Sequence, residues 1–468
     1  MLKEHAEKTI LFAQSQGCSY CDARAETIEK HGTTIENGQI EHSVTRHESG
    51  IGIRVLCDGA WGFYSTSDFT KINDGIIGAI SAAKHYAQKK KNKINLAEIP
   101  TVIKNITYKI KKESTLESLN SIALDCDKII RNNKKIIKSV VSTSSSMVSK
   151  YFVSSDGSKI MQEFSDTVMD LVATAHQSGI TQSINTTEGG RGGLEKITED
   201  IDIFLVSREI SEKAEKLLDA KPVKEEKATI VMNPDFVSLL THEILGHPSE
   251  ADRVLGKEMA WAGGAWWAGM LEKQIGSKNL NVIDDPTIEG NLGWYEYDDE
   301  GTKSEKKQLV KDGILVDHMH SRETASIFNK KPNSSMRATS YRFMPLIRMA
   351  CTCIEKGDFD PHEMIKGVKN GYLVSNMKIP SIDMKRYNWS ISCQYANKIE
   401  NGEITDLLRD VIVLGTAPEF FNSIDACGKD FTVRPITNCG KGDPMQQMMM
   451  GNGGPSIRGV ATVKSVGA

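Results

Sequence analysis

Hydrophobic residues follow two different spacings in the first half of the chain. In some segments they recur every three or four positions, which is typical of amphipathic helices, and in others they alternate with polar residues, which is typical of half-buried strands. The helix-like segments span residues 3–15, 68–91, 116–132 and 205–218, and the strand-like segments span residues 22–30, 39–48, 50–57, 60–64, 136–143, 147–154 and 159–174. These patterns predict helices combined with antiparallel strands.

Short turn sequences separate several of these strands. Asn37-Gly38, Asp58-Gly59 and Asp156-Gly157 are pairs that favour tight hairpin turns, because their residues tolerate positive φ angles. A glycine cluster at residues 189–193 lacks the lysine and the serine or threonine that complete a phosphate-binding loop. We therefore expect this cluster to be a mobile loop.

The second half of the chain is rich in strand-like segments and contains one prominent helical segment. Strands are expected at residues 228–232, 346–354, 372–374, 389–399 and 411–414, with turns at 312–313 and 401–402. The helix is expected to begin at Asn233 or Asp235, and its broad apolar surface predicts that it is buried. Residues 437–442 and 445–454 are expected to form a flexible loop before a last strand near 456–463.

A charged segment, Lys221–Lys227, contains Pro222 and is the best candidate for a domain boundary. The predicted fold class is α+β. An N-terminal region of helices and antiparallel sheet over residues 1–220 would be followed by a predominantly β domain over residues 228–468 that carries the buried helix. A break near residues 85–115 would divide the first region into two subdomains.

The composition of the chain excludes some classes of function. The chain has 468 residues and a net charge of −3, so it lacks the basic character that nucleic-acid binding requires. No apolar run is long enough to span a membrane, and the first residues are typical of an amphipathic helix and not of a signal peptide. We expect a soluble cytoplasmic protein without nucleic-acid or membrane partners.

The cysteines agree with this location. There are nine, an odd number, which indicates reduced thiols and not a disulfide framework. Cys18 and Cys21 form a CxxC pair, but no second pair follows at the spacing of a zinc ribbon. Cys351 and Cys353 alternate within an apolar run, so both pairs are expected to be packing residues.

Candidate chemistry is concentrated in the buried helix, where Glu243 lies between His242 and His247. Neutral imidazoles bind zinc, and a carboxylate beside the metal serves as general base in metallohydrolases. The histidines are five residues apart instead of four, which would place them roughly 140° apart on a straight α-helix. They can converge if the helix ends or loosens at Gly246 and Pro248, or if it contains a π-type turn.

These residues alone leave two interpretations open: a metal site, or histidines held in place by hydrogen bonds. His318 and His320 are alternative ligands, since residues two apart on a strand point in the same direction, although both could also face solvent. The acidic segments 284–286 and 298–301 lack the spacing of a calcium-binding loop, so they are expected to be ordinary turns.

Several motifs together resemble those of the TldD/PmbA family of metallopeptidases. They are the HExxxH element at residues 242–247 with Ser249-Glu250-Ala251-Asp252 after it, Asp298-Asp299-Glu300-Gly301, Asn401-Gly402-Glu403-Ile404-Thr405 and Cys439-Gly440-Lys441-Gly442. The resemblance covers essentially the whole chain and is weakest over residues 85–140. It is to the TldD type, because the metal-free sister subunit of that family lacks the HExxxH histidines.

The resemblance implies a zinc ion bound by His242, His247 and Cys439, with Glu243 as general base. It also implies cleavage of unfolded peptides or flexible protein segments in extended conformation, by a homodimer or by a heterodimer with a metal-free TldE/PmbA-like sister subunit. A non-catalytic peptide-binding or regulatory subunit of such a complex is the alternative. The four intact residues favour the enzyme, because a subunit that only binds peptides needs no base beside a metal.

Overall fold

The computed structural model describes residues 2–258, 260 and 263–465. Its N-terminal half is built on one seven-stranded, largely antiparallel sheet. The strands are β1 Tyr20–Glu36, β2 Gln39–Cys57, β3 Ala60–Thr66, β4 Ile103–Thr107, β5 Ile136–Ser154, β6 Lys159–Gln177 and β7 Ile180–Arg191. They are ordered β3-β2-β1-β5-β6, and β4 and β7 each pair with part of β6.

Helices cover this sheet in two groups. They are α1 Leu2–Ser15, α2 Ile72–Lys89, α3 Leu116–Arg131, α4 Glu195–Thr198 and α5 Ile203–Lys216, with a 3₁₀ turn at Phe69–Lys71. Ile10 of α1 and Ile76 of α2 share one core with Ile53 of β2, whereas Leu119 of α3 shares a second core with Leu171 of β6. The apolar spacing of each long helix therefore corresponds to the face that it buries.

The C-terminal half is predominantly β, so the predicted α+β fold class is confirmed. Its strands are β8 Lys221–Pro222, β9 Glu226–Met232, β10 Val282–Asp284, β11 Lys307–Lys311, β12 Ile314–Leu315, β13 Met336–Arg337, β14 Leu346–Ile347, β15 Cys351–Ile354, β16 Asn370–Ile382, β17 Asn388–Glu400, β18 Glu403–Arg409, β19 Val411–Thr416, β20 Ala426–Cys427, β21 Thr432–Lys441, β22 Gln446–Gly454 and β23 Ile457–Ser465. Its helices are α6 Pro234–Leu240, α7 Ala251–Val254, α8 Arg322–Phe328, α9 Pro361–Lys366 and α10 Ala417–Ser423, with a π-helix at Thr241–Gly246 and a 3₁₀ turn at His247–Ser249. None of the described helices has the length and apolar character needed to cross a membrane.

Two sheets of this half enclose α6. The larger is ordered β16-β9-β23-β19-β17-β18-β8 with β20 beside β23, and the smaller is ordered β12-β11-β10-β15-β22-β21. Phe236 and Leu240 of α6 lie in one core with Ile230 of β9 and Met450 of β22. The helix is therefore buried, as its apolar surface predicts.

Hairpin turns lie where the sequence predicts them. Asn37-Gly38, Asp58-Gly59 and Asn401-Gly402 have positive φ at both residues. In contrast, β2 and β5 are each one continuous strand where the sequence pattern suggested two. The reason is that β1 pairs with both of them along nearly its whole length, and this pairing carries the strands through their polar interruptions.

Two segments that were expected to be loops are regular strands, so those predictions were wrong. Residues 189–191 complete β7, and most of residues 437–454 form the β21–β22 hairpin. Their glycines permit close backbone contact: a Cβ atom at Gly190 would lie 2.2 Å from the carbonyl oxygen of Gly290. Glycine marks close packing in these strands and not mobility.

Buried ion pairs join the two halves. Arg54 of β2 pairs with Asp22 of β1 and, across the boundary, donates to the Glu300 carboxylate at 3.0 Å. Lys150 of β5 donates to Asp299 at 2.7 Å. The acidic turn that contains Asp299 and Glu300 therefore anchors the N-terminal sheet to the C-terminal half.

Candidate metal centre

The buried helix changes its winding at the histidines. Asn233 caps α6 by accepting a hydrogen bond from Phe236 N at 2.9 Å, and the α-helix continues to Leu240. The next six residues, Thr241–Gly246, form the π-helix. Its hydrogen bonds connect residues five apart, so residues with this spacing lie on the same side. The ring centroids of His242 and His247 are consequently 4.8 Å apart, which confirms the π-type turn suggested by the spacing.

Cys439 brings a third donor from the opposite hairpin. It lies on β21 next to a shift of register between Ile436 and Cys439, an irregularity of the kind that redirects side chains near functional sites. Its Sγ atom is 3.4 Å from His247 Nε2, and ligand atoms of His242, His247 and Cys439 all lie within 4.8 Å of one another. The three residues are only 2%, 3% and 4% exposed, respectively. Among the described residues, these three form the one such convergent group of histidine, cysteine or acidic side chains.

Each imidazole has a hydrogen-bond partner at Nδ1. The Asn452 amide donates from Nδ2 to the Thr352 carbonyl at 3.2 Å, so its Oδ1, 2.9 Å from His242 Nδ1, accepts from that ring. The Glu250 carboxylate accepts from His247 Nδ1 at 3.1 Å. Both arrangements place the proton on Nδ1 and turn Nε2 towards the cluster, which is the usual support of a metal-binding histidine.

The electrostatic surroundings favour an ionised thiol. Burial opposes ionisation of Cys439, but His247, Arg348 and His242 outweigh burial and hold the pKa of the thiol well below its usual value. Burial also opposes a charge on His242, yet the Cys439 thiolate raises the pKa of His242 to about 9. A metal ion that binds here must displace that proton, because only the neutral imidazole is a ligand.

A buried charge network supports Glu250. Its carboxylate accepts from Arg253 Nε at 2.7 Å and pairs with Lys441 Nζ at 3.1 Å. Although burial alone would raise the pKa of Glu250, Lys441, His247 and Arg253 hold it well below its usual value. Lys441 belongs to the same motif as Cys439, so one strand supplies both the thiol and a cation behind His247.

Glu243 faces the same cleft as the three donors. Burial acts to raise the pKa of its carboxyl, but Arg386 together with the two histidines outweighs burial and lowers it to about 2. The cleft has a volume of about 690 Å³ and lies between the halves. Its N-terminal wall comes from residues 170–172 of β6 and 185–187 of β7, and its C-terminal wall includes residues 435–440.

The alternative histidines lie elsewhere. His318 and His320 are buried and pack against Phe328, so the expectation that both could face solvent was wrong. Burial and the neighbouring His320 lower the pKa of His318 to about 4. His320 hydrogen-bonds Thr324 at 3.2 Å and Asp317 at 3.3 Å, which makes these residues part of a local packing arrangement outside the convergent group.

Sequence reasoning did not single out Asn452, Arg386 or the supporting role of Glu250. Asn452 is 210 positions from its partner His242, and Arg386 is 143 positions from Glu243. The one signal for Glu250 was its place just after the HExxxH element. The donor set itself fits zinc, since two imidazoles and a thiolate converge at buried positions and the Nδ1 atoms of both imidazoles have hydrogen-bond partners.

Comparisons with known proteins identify the family to which the chain belongs. Residues 21–87, 109–218 and 225–461 match the models of domain 1, the central domain and the C-terminal domain of PmbA/TldA metallopeptidases. A metalloprotease of Methanocaldococcus jannaschii is 31% identical to this chain, over 95% of this chain and 96% of its own length. A zinc metalloprotease TldD homolog of Saccharolobus solfataricus is 26% identical over 96% and 97%, respectively.

The solved structures give the same result for the fold. TldE from Thermococcus kodakarensis superposes with a TM-score of 0.77 at 17% sequence identity, covering 98% of this chain and 100% of that one. At this identity the likeness concerns the fold alone. With three matched segments and a relative similar over nearly its full length, the chain belongs to the PmbA/TldD family of metallopeptidases.

Proposed function

We propose that this protein is a zinc-dependent peptidase of the TldD type. The observation that carries the proposal is the convergence of His242, His247 and Cys439 in the cleft that also contains the Glu243 carboxylate. A subunit that only binds peptides has no need of a base beside three converging donors. The relatives named as metalloproteases support the same conclusion.

Three residues would hold the zinc ion: His242, His247 and Cys439. When bound, zinc polarises the substrate carbonyl group and makes a water molecule more acidic. Three protein ligands are also the number that leaves one position open for chemistry. The ionised thiol and the Nδ1 hydrogen bonds of both imidazoles prepare these side chains for the role.

Glu243 would carry the proton between the reacting groups. Its carboxylate is ionised at neutral pH, so it can accept a proton from the attacking water. The same carboxyl then donates that proton to the nitrogen of the leaving amine and returns to its charged form. One buried side chain can therefore serve as base and then as acid.

The walls of the cleft favour an extended peptide as substrate. In the described structure β7 pairs with β6 along one edge and with no strand along the other. At that other edge the Gln394 side chain accepts from Asn185 N at 2.9 Å and donates to Asn185 O at 2.7 Å, as the backbone of an added strand would. An unfolded peptide or flexible segment can offer such backbone groups, whereas most of those in a tightly folded protein are already paired.

We also propose that the chain acts in the cytoplasm with a partner. The fold that it shares with TldE supports a heterodimer with a metal-free sister subunit of that kind, and a homodimer is the other candidate assembly. The nine cysteines, an odd number, suit a reducing compartment.

The proposal is tested by the metal content and activity of Glu243→Gln. The purified wild type should hold about one zinc per chain and cleave unstructured peptides, alone or with the sister subunit. Glu243→Gln should keep its zinc and lose at least about 100-fold in turnover, because it removes the base and not a ligand. Glu41→Gln, at an exposed site on β2, is the matched control and should keep full activity.

Two results would contradict the proposal. Wild-type turnover by Glu243→Gln would exclude Glu243 as the base. Zinc bound without cleavage of any unstructured peptide, by the chain or by its complex, would favour the non-catalytic peptide-binding subunit instead.

A further inference from the structure

The loop between β16 and β17 holds one arginine in an unusual conformation. Asp383 organises the loop, since its carboxylate accepts hydrogen bonds from the backbone N–H groups of Lys385, Tyr387 and Asn388 at 2.9 to 3.0 Å. Arg386 lies between these anchors with φ +61°, in the left-handed region that is uncommon for residues other than glycine. A non-glycine residue held there by its surroundings is a reason to look for a function.

The side chain of Arg386 points inward to the candidate base. It is 4% exposed, and its Nη1 atom donates to the main-chain carbonyl of Glu243 at 3.1 Å and to the Glu243 carboxylate. One guanidinium thus fixes both the π-helix turn and the carboxylate that projects from it. Arg386 also lines the metal cleft, so this contact lies at the proposed reaction centre.

We propose that Arg386 is the positioning residue of Glu243, which it holds at the angle needed for proton transfer in the cleft. This inference rests on the proposed function and deepens it. The carboxylate has two oxygens, and the one that binds the guanidinium fixes where the other points. A glutamate side chain without such a partner has several accessible rotamers, and most of them would not face the substrate.

The chemistry of the side chain explains why arginine is used. The planar guanidinium group holds its N–H donors in a fixed geometry, so it can donate hydrogen bonds to a carbonyl and a carboxylate at the same time. A lysine ammonium group is a point charge on a flexible stem. Glycine would suit the backbone angle better than any other residue. The presence of arginine at a position that favours glycine agrees with a functional need for the guanidinium.

Lys385 provides a matched control. It precedes Arg386 in the same loop, its side chain is exposed, and it is not among the described residues that line the cleft. Lys385→Gln therefore removes a positive charge from the same loop without removing the proposed support of Glu243. A general effect of the charge of the loop would appear in both variants, whereas a positioning effect would appear in Arg386→Gln alone.

The experiment compares Arg386→Gln, Arg386→Lys, Arg386→Gly and Lys385→Gln in the preparation, chain alone or complex, in which the wild type cleaves an unstructured peptide. We expect kcat of Arg386→Gln to fall about 100-fold, with KM changed by less than about 3-fold. The kcat of Arg386→Lys should be intermediate, and Lys385→Gln should keep the wild-type kcat. Added guanidinium ion should restore part of the activity of Arg386→Gly, which a purely structural defect would not allow.

A measurement without turnover completes the test. The visible absorption spectrum of the cobalt-substituted protein should be the same in Arg386→Gln and wild type, because the hydrogen bonds of Arg386 described above go to Glu243 and not to the three donors. Wild-type kcat in Arg386→Gln, or a changed cobalt spectrum that accompanies the loss, would overturn the positioning role. An inactive wild type that binds zinc would overturn the proposed function and this inference together, whereas an active wild type with an active Arg386→Gln would overturn this inference alone.

Discussion

At the residue scale, the two imidazoles of the candidate centre are supported differently. His242 is hydrogen-bonded to a neutral amide, that of Asn452. His247 is hydrogen-bonded to the Glu250 carboxylate, which also forms an ion pair with Arg253. A carboxylate partner makes an imidazole a stronger electron donor than an amide does. His247 is therefore the better donor of the two, and the cations behind Glu250 prevent that carboxylate from remaining uncompensated in the interior.

Removal of the thiol should affect the metal more than removal of any other cysteine. Cys439→Ala is expected to weaken zinc affinity by more than about 100-fold, since loss of a residue that merely hydrogen-bonds a ligand already costs about 10- to 100-fold. Cys351→Ala and Cys353→Ala are the controls, because both thiols are buried beside each other on β15, 3.7 Å apart, and outside the donor group. Titration of zinc against a competing chelator measures all three. Equal zinc affinity in Cys439→Ala and wild type would mean that Cys439 is not the third ligand.

Some of these residues could be found from the sequence and others could not. The pair His242 and His247 carries a local signal, because their spacing and the intervening Glu243 can be read within six positions. Cys439 came only from resemblance to a family, and its role as a ligand stays a proposal. Asn452 and Arg386 reach the centre through tertiary contacts, and no local pattern encodes such contacts.

At the element scale, the π-helix is the feature on which the centre depends. An ordinary α-helix with histidines five apart would direct them to different sides. The extra residue in the π turn is accommodated where Gly246 meets Met349: a Cβ atom at Gly246 would lie 2.1 Å from the Met349 sulfur. The absence of a side chain at this position thus lets the widened turn pack against the chain beside it.

Gly246→Ala should therefore be destabilising. Because Met349 is fully buried, it cannot move away freely, and overpacking of this kind costs about 1 to 3 kcal/mol of the free energy of unfolding. Gly78→Ala is the control, since it lies inside α2 with no atom within 4 Å of the added Cβ. That change should stabilise the protein by about 0.5 to 1 kcal/mol through helix propensity. Urea unfolding of both variants measures the change in the free energy of unfolding. If this free energy is unchanged in Gly246→Ala, the turn can accommodate a Cβ atom without strain.

Elements with a strong local period were predictable, and those that depend on distant pairing were not. The helices α1, α3 and α5 match the segments expected from their apolar spacing to within a few residues. The β21–β22 hairpin, which was expected to be a flexible loop, is rich in glycine, a residue that is depleted in strands. The contact that decides its structure is non-local: a Cβ atom at Gly453 would lie 2.3 Å from the Thr432 carbonyl, so only glycine allows the two strands to approach.

At the scale of the whole molecule, the cleft exists because the two halves are held at a fixed separation. The acidic turn at residues 298–301 connects the halves through two carboxylates. Asp299 accepts a hydrogen bond from Lys150, and Glu300 accepts one from Arg54, both of the N-terminal sheet. The sequence predicted turn chemistry at this place, and Asp298 indeed accepts backbone hydrogen bonds from Glu300 and Thr302, both at 2.9 Å. Its second function in joining the halves was not predictable, because the partners are far away in the chain.

The overall class was easier to predict than the assembly. Helices followed by strand-rich sequence were enough to predict α+β, and this is confirmed. The order of strands within each sheet follows from long-range pairing that periodicity does not contain. The proposed boundaries at residues 220 and 228 stay a prediction.

The anchor between the halves should also make stability depend on pH. Burial, together with the nearby Glu300, raises the pKa of Asp298 from 3.8 to about 7. Between these values the unfolded chain has released a proton that the folded protein still holds at Asp298. Folding therefore takes up a proton in this range, and the contribution of Asp298 to stability is complete below about pH 4 and is lost as the pH rises through about 7.

Asp298→Asn removes this titration while keeping the shape of the side chain. We expect the wild type to lose more free energy of unfolding between pH 5 and pH 8 than Asp298→Asn does, as measured by urea unfolding at both values. The variant is also expected to be less stable at pH 5. Both oxygens of the Asp298 carboxyl accept hydrogen bonds from backbone N–H groups, so the NH2 group of the variant must face at least one of these donors. Other titrating groups contribute to both proteins and cancel in the comparison if they are independent of Asp298. An equal change with pH in the two proteins would mean that Asp298 is already ionised at pH 5, and that the cations of the neighbouring pairs outweigh the effect of burial.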